Sequence, residues 1–210
     1  MRPSLLASLL IAAASPCVFA QSVIHEYRPE IAVTSPRVGG FGLTLLFEQH
    51  LEVETLSPNE RILGFGVVSP AFHHVSVAFE TRQVQLNGNL EHRYLPILYS
   101  TLPLPGGFEI RDRARIEVRD INRVWSRRYQ NRAAFGHLID VGGRELFPYV
   151  QLELSYDSRF SELNRRDSAI GVRIPLGAGV SVDTYVDRQS DTRRTPFLLI
   201  AGSAIVRVAL

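Results

Sequence analysis

Lysine is missing altogether: every one of the 23 basic residues is arginine. Cysteine occurs once, at Cys17, and tryptophan once, at Trp125. With no second cysteine, no internal disulfide can staple the chain, so its stability has to come from packing or from its surroundings. Beyond Ala20 no stretch stays apolar for about 18 residues, which excludes a membrane-spanning helix. A charge excess is lacking too. The 21 acids nearly balance the arginines and share the same strand faces, which excludes the one-sided basic patch of a nucleic-acid partner. Arginine in place of lysine suits pairing with carboxylates away from bulk water, because its planar fork can bond two oxygens. The six histidines (25, 50, 73, 74, 92 and 137) are scattered, no H-E-x-x-H spacing occurs, and no cofactor or metal is expected.

The N-terminus carries Arg2, an apolar run Leu5–Ala14, and Val18-Phe19-Ala20 before Gln21, the layout of a secretory signal cleaved after Ala20. Cys17 follows Pro16 rather than a small residue, which argues against a lipid anchor. Residues 1–20 are therefore assigned to the signal peptide, 21–40 to an N-terminal segment (an extra strand or a piece lying in a lumen), and 41–210 to one domain.

That domain is organised around Phe108–Arg119, F-E-I-R-D-R-A-R-I-E-V-R. Glu109, Arg111, Arg113, Arg115, Glu117 and Arg119 alternate with Phe108, Ile110, Asp112, Ala114, Ile116 and Val118. Side chains alternate across a strand, so this is a ribbon with one ionic and one apolar face. Its length exceeds the usual soluble strand of about 5–6 residues and matches the roughly 9–11 of a tilted membrane strand. Similar two-faced runs follow one another from Phe41 to Leu210; the cleanest is Tyr149–Asp157, with Val150, Leu152, Leu154 and Tyr156 against Gln151, Glu153, Ser155 and Asp157. Counting back from the C-terminus, connections alternate long (Ser190–Thr195), short (Gly177–Gly179), longer (Ser158–Leu163), short (Gly142–Glu145), longer (Asp120–Trp125), short (Leu104–Gly107), as in barrels with short turns on one side. The pattern predicts an all-β, antiparallel up-and-down transmembrane β-barrel of ten strands, or twelve if His25–Thr34 and a neighbour join, an even number placing both ends on one side. Tyr27, Tyr94, Tyr99, Trp125, Tyr129, Phe147, Tyr149 and Tyr156 lie near strand ends, where aromatic girdles sit.

The segments R-A-R-I-E-V-R (113–119), R-R-Y-Q-N-R (127–132), P-Y-V-Q-L-E-L-S-Y-D (148–157), N-R-R-D-S-A-I-G-V-R-I-P-L (164–176) and Y-V-D-R-Q (185–189) resemble a family of Gram-negative outer-membrane barrels catalogued as a domain of unknown function. The likeness covers about half the mature chain. It implies a fold and a location in the cell outer membrane, among outer-membrane lipid and reached through the barrel-assembly machinery acting on the C-terminal strand, and no catalytic residues. The last residue, Leu210, departs from the aromatic on which such barrels usually end.

In such a barrel the inward face collects Arg111, Arg113, Arg115, Glu117, Arg119, Arg128, Arg132, Glu153, Asp157, Arg165, Asp167, Arg173, Asp183 and Asp187. About eight strands leave an interior filled by side chains, and wide channels need about 16. Ion pairs are therefore expected to fill the lumen of a monomer, leaving at most a narrow passage lined by fixed charges. Two other readings exist. A soluble periplasmic β-sandwich or lipocalin-like binding module would also alternate. His74-Val75-Ser76, with Glu80 beyond, is similar to the His-x-Ser of outer-membrane lipid acyl hydrolases, in which His is the base for a Ser nucleophile; here Val77 stands where those enzymes carry Asn.

Overall fold

The computed structural model describes residues 23–86, 88–193 and 198–210. The expected signal peptide, residues 1–20, and residues 194 and 195 of the expected last loop lie outside the described residues. Twelve strands run in order: β1 (Val23–Thr34), β2 (Gly42–Glu52), β3 (Pro58–Val68), β4 (Val75–Leu86), β5 (Asn89–Pro103), β6 (Phe108–Ile121), β7 (Val124–His137), β8 (Ile139–Val141), β9 (Arg144–Asp157), β10 (Glu162–Gly177), β11 (Val180–Asp191) and β12 (Leu198–Ala209). Sequence neighbours pair antiparallel, except that β8 only folds back on the start of β9, which pairs with β7 instead.

The sheet closes on itself through β12 and β1, which run parallel from Val23 opposite Leu198 to Thr34 opposite Ala209. Eleven strands thus form one closed barrel, an all-β fold of the predicted up-and-down kind. The count is neither ten nor twelve. An odd number becomes possible because one seam is parallel, a pairing that alternation along the chain does not encode. His25–Thr34 lies within the first barrel strand, with Pro29 opposite Ala204 at that seam.

Cross-strand partners followed from Val33 run through Leu45, Phe65, Thr81, Tyr94 and Val118 to Arg127. That line starts near the Thr34 rim of β1 and ends near the opposite, Val23 rim of β7, so the strands are strongly tilted, as closure demands. All six residues after Val33 belong to the outward set.

The expected alternation of loop length, seen in the short β10–β11 and longer β9–β10 links, breaks down at β6 and β7. At the Val23 rim, β6 and β7 extend until Ile121 pairs with Val124, leaving a two-residue turn of Asn122 and Arg123. Both have positive φ (53° and 68°), the geometry of the tight turn that suits strand twist, and Trp125 joins β7 instead of the loop. At the Thr34 rim two connections repeat each other. Ser35 and Ser69 each accept a bond on Oγ from the backbone of the next strand, Leu43 N and Val77 N, both at 3.1 Å. Gly39-Gly40 and His73-His74 then occupy the same positive-φ corner.

The outside of the barrel carries the apolar set. Leu45 is 57% exposed, Phe65 50% and Val186 56%, and Leu63, Phe79, Leu98, Phe135 and Ile170 are exposed with them. Nothing in a two-layer sandwich would leave this face uncovered, and a lipocalin-like barrel would hold its apolar side chains inside. Both alternatives fail on this inversion. Inward glycines make room for large rings: a Cβ on Gly136 would run into the Phe147 ring, and one on Gly171 would lie 2.7 Å from Tyr149.

Candidate functional site: the charged lumen

Because period-two alternation sends every second side chain inward, each of the eleven barrel strands contributes charges to an interior cavity of about 830 Å³. Arg111, Arg113, Arg115, Glu117, Arg119, Arg128, Arg132, Glu153, Arg165, Asp167, Arg173, Asp183 and Asp187 all line it. Asp157, on the same face, is fully buried beneath its partners.

Near the Val23 rim the lumen is packed. Asp157 accepts from Arg119 Nη2 at 2.6 Å, Arg159 Nη2 at 2.9 Å and Arg128 Nη2 at 3.4 Å. Glu117 lies 3.4 Å from Arg128 and 3.8 Å from Arg93, which also reaches Glu91 at 3.1 Å. Side-chain exposure here is 0% for Asp157 and 3% for Arg119. Leu95, Val84 and Leu199 point into the same half and are fully buried. Beside them His50 Nε2 lies 2.7 Å from Glu48 and its Nδ1 3.1 Å from Glu60. Arg28 bonds Glu26 at 2.9 Å and Gln189 at 3.2 Å.

Midway, Glu153 forms the centre. Arg132 Nε donates to it at 2.6 Å, Arg113 Nη2 at 2.7 Å and Gln130 Nε2 at 3.2 Å. Gln130 also accepts from Arg115, and Arg165 Nε bonds Asp167 at 2.9 Å.

Toward the Thr34 rim the charges loosen and the arginines become the exposed partners. Arg173 Nη2 and Arg207 Nη1 share one oxygen, Asp183 Oδ2, each at 2.9 Å, while Tyr149 Oη donates to Oδ1 at 2.6 Å. Arg111 pairs with Glu109 and lies over the Phe147 ring, 4.2 Å from its centroid. Side-chain exposure rises to 34% for Arg111 and 38% for Arg207. Asp183 is only 3% exposed while Arg173 and Arg207 are 31% and 38% exposed, so guanidinium groups are what this mouth presents, with Glu30 across Ile205 from Asp183 as a further carboxylate.

Several lumen residues escaped the sequence reading. Glu26, Arg28, His50, Glu60, Arg82 and Arg93 share the phase of their strands' polar face, so alternation alone could have gathered them. Tyr99, Phe147 and Tyr149 line the cavity and do not belong to a girdle; they too share the inward phase. The outer girdle at the Val23 rim consists of Tyr27, Tyr94, Trp125, Tyr129 and Tyr156, with Tyr94 stacked on Trp125 at 6.1 Å and Tyr129 beside Tyr156 at 6.1 Å. His74 and Ser76 do not assemble as base and nucleophile. His74 (φ 69°) forms the exposed turn before β4, Ser76 is its second residue, and among the described residues no hydrogen bond joins them. No group of His, Cys, Asp and Glu fit to hold a metal ion occurs among the described residues.

No family model matches the chain, and no curated protein matches it. Among solved structures it is similar to the β domain of the Bordetella autotransporter Brka, with 14% identity and a TM-score of 0.48, over 79% of this chain and 81% of that one.

Proposed function

We propose that this chain is an integral barrel of the bacterial outer membrane, without enzymatic activity, whose lumen is filled by ion pairs and leaves only a narrow path that favours small anions. The carrying observation is the inverted distribution of side chains. Leucine, valine and phenylalanine cover the outside, while Glu117, Arg119, Glu153 and Asp157 are buried within. In water this arrangement is unstable; in hydrocarbon it is the favourable one, because every backbone bond is made around a closed ring. The expected leader at residues 1–20 and the likeness of the arginine-rich strands to an uncharacterised outer-membrane family support the same reading. Assembly through β12 by the barrel-assembly machinery, in a membrane of outer-membrane lipid, follows from it.

Purified in detergent, the mature protein should run differently on a gel when boiled and unboiled, and it should stay in the membrane pellet after osmotic shock. In planar bilayers it should pass current far below that of 16-stranded channels and prefer chloride over potassium. A porin-sized conductance, or cation preference, would refute the filled, arginine-mouthed lumen.

A further inference from the structure

Fourteen of the strand and turn arginines are held by carboxylates or amides inside the barrel or at its edges. Five strand arginines are different: Arg144, exposed at the Thr34 end of β9, and four at the other rim. Arg61, Arg127, Arg166 and Arg188 point outward, are exposed, and make no ion pair among the described residues. Each sits three or four residues inside the Val23 end of its strand, level with the tyrosine girdle. Counterparts on the outer wall near the Thr34 end are apolar: Phe65, Phe135, Ile174 and Val182. Arginine on the outside of the wall thus gathers at the Val23 rim, four residues against the single Arg144 at the start of β9.

Three of the four lie on one arc, β7 to β11. In β10 and β11, Arg166 faces Ser190 and Ser168 faces Arg188, so two guanidinium groups and two hydroxyls form a diagonal square. Arg127 lies across β9 from them. Directly below are Leu154, the cross-strand partner of Arg166, and the pair Ile170–Val186. Asp120 also faces outward on β6, opposite Trp125, yet forms no ion pair with Arg127.

Resting on the membrane reading above, we propose that Arg127, Arg166 and Arg188, with Ser168 and Ser190, hold the phosphate headgroup of a phosphomonoester lipid whose acyl chains lie along Leu154, Ile170 and Val186. Guanidinium forks match phosphate oxygens, and arginine at a membrane surface attracts anionic lipid. The apolar wall beneath fits the chains, which free phosphate would not use. The Val23 rim thereby belongs to the leaflet that offers such headgroups.

The test uses the mature barrel in phosphatidylcholine nanodiscs doped with phosphatidic acid, and native mass spectrometry of the lipids it carries out. The wild type should retain phosphatidic acid. R127Q/R166Q/R188Q should retain roughly tenfold to a hundredfold less, and R37Q/R144Q, at the other rim, should match the wild type. Inorganic phosphate should not displace the lipid. Equal retention by the triple variant, or displacement by inorganic phosphate, overturns the proposal. If the triple variant loses its boiled-against-unboiled gel shift, R166Q/R188Q carries the comparison. A wild type without that shift would remove the membrane reading and this site together; one that shifts but holds no phosphatidic acid removes the site alone.

Discussion

Replacing Glu153 by glutamine tests the ionic interior where it is most concentrated. Arg113, Arg132 and Glu153 stand side by side on β6, β7 and β9, since Arg113 faces Arg132 and Arg132 faces Glu153. The carboxylate, 2% exposed, bonds to both of two like charges placed directly opposite each other, an arrangement that destabilises a sheet by itself. E153Q keeps the volume and one acceptor but removes the charge. Hydrogen bonds to charged groups contribute about 1.5–3 kcal/mol each, and breaking a buried pair costs about 3–5 kcal/mol. Arg132 is 30% exposed on its side chain, so water recovers part of its loss and about 3 kcal/mol is the expected cost. Urea unfolding from phospholipid vesicles, followed by the fluorescence of Trp125, reads the midpoint. The exposed pair Arg193–Glu162 is the control, and R193Q should change stability by about 0.5 kcal/mol or less. An E153Q midpoint within that same margin, with the slope unchanged, would refute the claim that this lumen is dry enough for its charges to matter.

A charge on the lipid face should cost more the deeper it lies. Leu152→Arg, midway along β9, should lose about 2–4 kcal/mol of folding stability in vesicles, and Tyr156→Arg, at the girdle, about 0–1 kcal/mol; equal costs would show that lipid does not cover that face. Gly136→Ala drives a methyl into the Phe147 ring and within 2.9 Å of the Pro148 carbonyl, and Gly171→Ala places one 2.6 Å from Tyr185; each should cost about 1–3 kcal/mol of stability in urea unfolding, whereas an alanine at Gly202, which would meet nothing within 4 Å, should be neutral. R173Q/R207Q should shift the reversal potential of the bilayer current toward cation permeation, because Asp183 then faces the mouth without its two partners; an unchanged reversal potential would place the selectivity elsewhere.

Much of the barrel is legible in the chain because its two faces differ so sharply. Phe108–Arg119 alternates charge and hydrocarbon with Asp112 as the one exception, and the strand it belongs to is the longer run Phe108–Ile121. The same phase places Glu153 inside and Leu152 outside. What local pattern does not carry is long-range. The pairing of Val23–Thr34 with Leu198–Ala209 joins the two ends of the sheet, and nothing in either segment's alternation specifies a parallel partner. The turn at Asn122-Arg123 was hidden for another reason. It achieves positive φ without glycine, so the polar run Asp120–Trp125 reads as a loop although only two of its residues are turn. Leu95 and Ile97 mark the opposite failure: they share the inward phase of Glu91 and Arg93, but an apolar residue in a barrel signals lipid until the phase is counted. The phosphate-facing arginines could have been found by the same counting, since Arg127 and Arg166 fall out of step with the inward Arg128 and Arg165 beside them, and Arg188 with the inward Asp187 and Gln189.

The parallel seam has a consequence for what the barrel can display. With an even number of strands the sheet would begin and end at one rim, and attachments at either end would share a compartment. Here β1 sets out from one rim and β12 finishes at the other, so a peptide joined ahead of Val23 and a peptide joined behind Ala209 would emerge on opposite faces of the bilayer. The fold is in that sense a connector with two differently addressed sockets.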